Sequence, residues 1–187
     1  MARGHTTIGK RSVCAAVLLL AACSEQLAPR IYDSGVVHDE TGAFPVGEIG
    51  SFSADGGADA LGFHRGFARA LEQCNAAGGA QGRRIELQVF DDRGRPADTR
   101  LAVQRLSGPN GAVAIGCSSS DACVAAAREA AGELAIVPGE NAGTPEERGF
   151  AAGRRLVAAC ERAPKILPKE VAAELAADSA RSYPRAP

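Results

Sequence analysis

The chain has 187 residues, 45% of them hydrophobic and 23% charged, a balance that excludes a disordered or collagen-like polymer and allows one domain with a tail. The net charge is −1, and without the three cations of the first 22 residues (Arg3, Lys10, Arg11) the remainder carries −4. An acidic body with no tryptophan and 4% aromatic residues has neither the electrostatic footprint nor the stacking groups of a nucleic-acid binder.

Met1 to Arg11 is polar and basic, and Ser12 to Ala22 is an apolar or small run of the length of a signal-peptide core. A membrane span needs about 20 such residues, so the run is too short to cross a bilayer. Cys23 follows at once in the string Leu20-Ala21-Ala22-Cys23, which resembles a bacterial lipobox. That resemblance implies removal of residues 1–22, lipidation of Cys23 and a short polar tether over 23–30 in the cell envelope. Outside the cytosol thiols can oxidise. Four cysteines then remain, Cys74, Cys117, Cys123 and Cys160, which allow three full pairings. No Cys/His spacing suggests zinc, and the histidines are His5, His38 and His64 alone.

In the mature region, residues 31–37 (IYDSGVV) read as a β-prone first strand, and the Gly-, Ser- and Asp-rich stretch 38–57 as a long loop. Residues 58–77 form a helix, because Ala60, Phe63, Phe67, Leu71 and Cys74 fall on one stripe; Gly78-Gly79 stops it. The alternation of Ile85, Leu87 and Val89 makes 84–90 a strand. A turn at 91–96 and a helix at 97–106 follow. Residues 112–115 are a short apolar strand of the kind buried in parallel sheets. Gly116 to Ser120 is its exit loop, with a serine placed to cap a helix over 121–131. A fourth strand at 134–137 leads into a loop at 138–149, then helices at 151–160 and 169–181 and a tail.

Strand and helix alternate three times, which is the pattern of an α/β layer fold with a parallel sheet. In such sheets ligands meet the loops at the C-terminal strand ends, here 38–57, 91–96, 116–120 and 138–149. Asp91-Asp92 fits a turn better than a metal site, for want of other ligands. Gly116-Cys117-Ser118-Ser119-Ser120 is not the nucleophile elbow of hydrolases, and no histidine is placed beside it, so the pattern speaks against an enzyme.

Several strings across residues 31–150 resemble the type I periplasmic solute-binding proteins, in particular the leucine/isoleucine/valine-binding receptors of ABC transporters. They are Glu40-Thr41-Gly42, the run from Asn75 to Ile85 (NAAGGAQGRRI), Phe90-Asp91-Asp92 with Pro96, Ile115 to Ser120 (IGCSSS), and Val137-Pro138-Gly139, all in family order. The resemblance implies one incomplete lobe over 31–150, with a divergent helical tail over 151–187. It implies a parallel sheet of order 2-1-3-4 with helices on both faces. With that order the 58–77 helix and the 121–131 helix lie on opposite faces. Cys74 is then out of reach of Cys123, and Cys117–Cys123 is the local disulfide candidate.

The implied function is a lipid-anchored receptor that binds an amino acid or similar small carboxylate without chemistry, needs no cofactor, and delivers its solute to an ABC permease. The alternative is a one-lobe family member that serves as a protein-interaction module in the envelope. The implied ligand residues are Thr41, Ser118, Ser119, Ser120, Glu140 and Asn141. Serine hydroxyls at a helix mouth hold a carboxylate, of which Ser119 and Ser120 match the family positions and Ser118 adjoins them. Glu140 and Asn141 stand where the family has small residues and Thr; a glutamate there repels a carboxylate and accepts an ammonium. An alignment with an insertion brings Thr144-Pro145 into that role.

Overall fold

A computed structural model describes residues 42–182 apart from 56, 109–110 and 140–142. Thr41, Glu140, Asn141, Cys23 and the first strand expected at 31–37 lie outside the described residues. The elements in chain order are β1 (Phe44–Gly50), α1 (Gly57–Ala76), β2 (Ile85–Asp91), α2 (Pro96–Leu106) and β3 (Ala114–Cys117). They continue with α3 (Asp121–Ala130), β4 (Ala135–Pro138), α4 (Pro145–Arg162) and α5 (Pro168–Ser182).

The four strands form one parallel sheet in the order β2-β1-β3-β4, as expected. Helices cover both faces. Phe44 and Val46 of β1 face one core with Phe63, Phe67 and Leu71 of α1, Leu156 of α4 and Val171 of α5. Ile49 faces the other with Val103 and Leu106 of α2 and Ala127 of α3. Burial of Phe63 and Phe67 bears out the helical stripe.

The segment expected as the loop 38–57 contains β1, so that expectation is overturned. Its composition hid it. Gly47, Glu48 and Gly50 are poor strand formers by propensity, but here the strand sits at the sheet centre, where packing decides. A Cβ on Gly47 would come within 2.6 Å of Leu106 Cδ1, and one on Gly50 within 2.5 Å of Ser118 Oγ. Glu48 is fully buried and bonded to His64 of α1. Gly42 precedes β1.

The loop expected at 138–149 is shorter, because α4 begins at Pro145. Thr144 caps it: its hydroxyl accepts from Glu147 N, and the Glu147 carboxylate accepts from Thr144 N at 2.8 Å, a reciprocal pair with Pro at the first helical position. The boundary expected at residue 150 falls inside this helix. Gly62 and Gly66 of α1 face Pro145, Glu146 and Phe150 of α4, and Gly149 and Gly153 of α4 face Phe63, Phe67 and Ala70 of α1; a Cβ at Gly66 would overlap the Glu146 carbonyl oxygen, as one at Gly149 would overlap that of Phe63. The two backbones thus touch directly, a contact that only glycine permits.

All four described cysteines, Cys74, Cys117, Cys123 and Cys160, are buried free thiols. The Cys117–Cys123 bond is not formed: both are free, buried thiols, Cys117 at the end of β3 and Cys123 in the first turn of α3.

Candidate functional site

The C-terminal strand ends open into one groove of about 1400 Å³, lined among others by Ser51, Phe63, Ser118, Ser119, Gly139 and Arg148. Its floor is organised around Asp92, which follows β2 and is fully buried. Asp92 Oδ1 accepts from Ser51 Oγ at 2.7 Å and from Gly94 N at 2.9 Å. Its Oδ2 accepts from Thr99 Oγ1 at 2.9 Å and from Ser119 Oγ at 2.5 Å. One carboxylate therefore ties together the ends of β1, β2 and β3 and the start of α2. Four donors satisfy a buried charge that would otherwise be costly. Beside it, hydrogen bonds from Ser53 and from backbone N–H groups outweigh partial burial and hold the Asp91 carboxyl below its ordinary range.

The three serines have three different tasks. Ser119 donates a hydrogen bond to Asp92, so its hydroxyl is committed to the floor. Ser120 is the N-cap of α3, and its oxygen accepts from Cys123 N. Ser118 is placed by a backbone bond from its N to Ile49 O at 3.0 Å, and its hydroxyl is buried without a hydrogen-bond partner. An unpaired buried hydroxyl costs about 1–3 kcal/mol. It is a donor on this edge that lacks an acceptor, and it lies three residues before the first residue of α3, whose N-terminus favours negative charge.

Under α1, and off the groove wall, His64 Nδ1 and Glu48 Oε2 share a hydrogen bond at 2.8 Å, while Glu48 Oε1 has no partner. Burial raises the Glu48 carboxyl above its usual range against the opposing pull of His64. The bond to Glu48 raises His64. The ring of Phe52, from the loop after β1, meets His64 edge to face at 6.0 Å.

The Cys117 thiol on the groove lining is not an activated nucleophile. Burial pushes Cys117 up to about 11 and Cys160 up to about 12, so both are neutral thiols near neutrality. Among the described residues no group of three or more His, Cys, Asp or Glu is placed to hold a metal ion. Among them, too, no helix is long and apolar enough to cross a membrane.

The structure brings Ser118, Ser119 and Ser120 to one groove, as expected, and leaves Thr41, Glu140 and Asn141 outside the described residues. The sequence reading missed Glu48, which sat in an assumed loop, and Arg148, assigned to a loop but standing in the first turn of α4. The Thr144-Pro145-Glu146-Glu147 capping signature was the signal that would have placed Arg148 on a helix.

A sequence model of the family described as "Periplasmic binding protein" matches residues 44–175. An "Amino acid binding protein" of Pseudomonas aeruginosa is 35% identical over 91 residues, which are 47% of this chain and 24% of that protein. The chain thus spans about a quarter of the length of this curated relative. Among solved structures, the branched-chain amino acid transporter substrate binding protein LivJ from Streptococcus pneumoniae, in complex with isoleucine, is 22% identical. That alignment covers 51% of this chain and 28% of that one, with a TM-score of 0.44. A solute binding protein of an ABC transporter from Rhodopseudomonas palustris, in complex with 3,4-dihydroxy benzoic acid, is 17% identical. It covers 51% of this chain and 26% of that one, with a TM-score of 0.47. At these scores the superpositions are partial.

Proposed function

Because the chain belongs to the periplasmic binding protein family, we propose that it is an extracytoplasmic receptor that binds an amino acid or related small carboxylate, without covalent chemistry, in the groove at the C-terminal sheet edge. The supporting observation is the Ser118 hydroxyl, buried and unpartnered at the mouth of α3. A ligand carboxylate placed there accepts from that hydroxyl and sits in the positive field of the helix start. Ser120 keeps its own proton for the ligand while its oxygen caps the helix. Ser119 does not serve as a donor to the ligand, since its hydroxyl hydrogen is already engaged by Asp92. In this reading Cys23 carries the lipid, residues 23–30 are the tether, and an ABC permease receives the solute. The resemblance of Leu20-Ala21-Ala22-Cys23 to a lipobox supports that anchor.

The test is a thermal-shift screen of the full chain against amino acids, amides and small organic acids. A ligand that binds only the folded chain raises its melting temperature. The expected result is a shift with carboxylates that Ser118→Ala abolishes and Ser119→Ala keeps. Binding is expected to be weak, because an open groove does not bury the whole solute. A shift that is unchanged in Ser118→Ala moves the site elsewhere, and a shift produced only by a protein partner favours the interaction module. For the anchor, Cys23→Ala is expected to leave an unprocessed or unlipidated chain. Membrane fractionation and processing identical to the unmodified chain would contradict it.

A further inference from the structure

A second unpaired donor stands beside the first. Arg148 lies in the first turn of α4, and its Nε is buried without a hydrogen-bond partner although 29% of the side chain is exposed. Its other end makes only a loose pair, Nη2 to Asp59 Oδ2 at 3.8 Å, with an Asp59 side chain that is 73% exposed.

The backbone fixes how close the two donors are. Cys117 and Pro138 are register partners on adjacent parallel strands, so Ser118 and Gly139 are the next residues out on neighbouring chains. Such chains run about 4.8 Å apart. A Cβ built on Gly139 would stand 3.4 Å from Arg148 Cβ, which puts the root of the arginine against the end of β4. The glycine contact between α1 and α4 flanks this turn, at Glu146 and at Gly149, so the arginine is mounted on backbone that has no room to shift. Both residues line the same groove.

The acids of the described wall are placed differently. Asp55, Asp59 and Asp121 line the groove but are exposed to water. Asp92 is buried with four donors already on it. Glu48 does not line the groove. The buried unsatisfied groups facing this space are thus donors, and one carries a formal positive charge.

We propose that Arg148 is a specificity-determining residue, whose guanidinium clasps the solute carboxylate together with the Ser118 hydroxyl, and that the solute class is an organic acid that needs no ammonium group. This rests on the carboxylate-binding reading above and narrows it. A guanidinium recognises a carboxylate through directed, charge-assisted bonds, and in a shielded site it disfavours a second cation nearby. A neutral amide offers no charge to it.

The test uses propanoate, L-alanine and L-alaninamide, which share a carbon skeleton and differ only in their charged groups. Each is titrated into the full-length chain while the arginine Nε–H and backbone amide resonances are followed by NMR. Propanoate is expected to shift the Arg148 Nε–H signal saturably and to bind at least fivefold tighter than alanine, with no response to alaninamide. Arg148→Gln is expected to weaken propanoate at least tenfold, and Arg148→Lys to restore part of the loss. Should Arg148→Gln not fold, the Nε–H signal of the unmodified chain still decides. Shifts at the Ser118 and Ser120 amides with an unmoved Arg148 signal, or alanine binding at least fivefold tighter than propanoate, would overturn the inference while leaving the carboxylate reading standing. No response in the groove to either carboxylate would overturn both.

Discussion

The two helical layers of the sheet are built on different principles. Between α1 and α4 the contact is backbone on backbone at Gly66 and Gly149, flanked by Gly62 against Pro145 and Gly153 against Ala70. On the other face α2 and α3 pack through side chains, with Ala102, Val103 and Leu106 against Ala127 and Ala131. The first layer has no volume to spare, and it also carries Arg148 and the buried Glu48–His64 pair. The second contributes a capped helix start and the serines ahead of it. The groove therefore has one wall whose position is set by backbone contact and one whose position is set by hydrogen bonds to Asp92. Substitutions in the two walls should fail in different ways.

The largest expected effect is in the glycine seam. Gly66→Ala forces a methyl group into the Glu146 carbonyl and must push α4 away, with a loss of about 3 kcal/mol. Ala127→Gly in the other layer removes a methyl group and costs about 1 kcal/mol by helix propensity. Urea unfolding of the two variants measures both. Equal losses would dissolve the contrast between the layers.

The buried pair should show itself through pH. Glu48 and His64 are both raised, Glu48 by burial and His64 by its bond to Glu48, with Glu72 also raising and Arg65 lowering the histidine. The folded chain therefore holds these protons more tightly than the unfolded chain does. The stabilisation is fully present below the unfolded values and is lost as pH rises through the folded ones. The melting temperature is expected to fall as pH rises above the ordinary values of 4.5 for Glu48 and 6.5 for His64. Glu48→Gln should flatten that slope. His64→Ala leaves a buried carboxylate without its donor, for a loss of about 2 kcal/mol that is smaller in acid, where Glu48 is protonated. A slope unchanged by Glu48→Gln would place the titration elsewhere.

The smallest effect separates neighbouring serines. Ser119→Ala removes one of four donors to Asp92 and should cost about 1 kcal/mol of stability, read by urea unfolding, with solute binding retained. Ser118→Ala should leave stability unchanged or raised, since its hydroxyl has no partner to lose, while abolishing binding. The reverse pattern would exchange the roles assigned to the two residues.

How much of this was legible in the sequence varies with how local the cause is. The apolar stripe of α1 and the alternation of β2 are local patterns, and both elements lie within a residue or so of where they were expected. The α3 cap at Ser120 is local too. β1 was not legible, because a central strand that carries a glutamate looks like a loop until His64, sixteen residues on, is known to pair with it. Asp92 was read as a turn residue, and its bond to Gly94 N bears that out. Of its other donors, Ser51 and Ser119 lie 41 and 27 residues away, and no local pattern shows them. For the same reason the sequence could not divide the work among three consecutive serines: which hydroxyl stays free depends on where the β2 end falls.

The most direct measurement is a crystal structure of the full-length chain soaked with propanoate. A carboxylate within hydrogen-bond distance of both Ser118 Oγ and Arg148 Nε, with Ser119 still donating to Asp92, is the predicted result. A carboxylate bound away from the C-terminal sheet edge, or one at that edge whose ammonium-bearing analogue alone is seen when both are offered, would contradict the account.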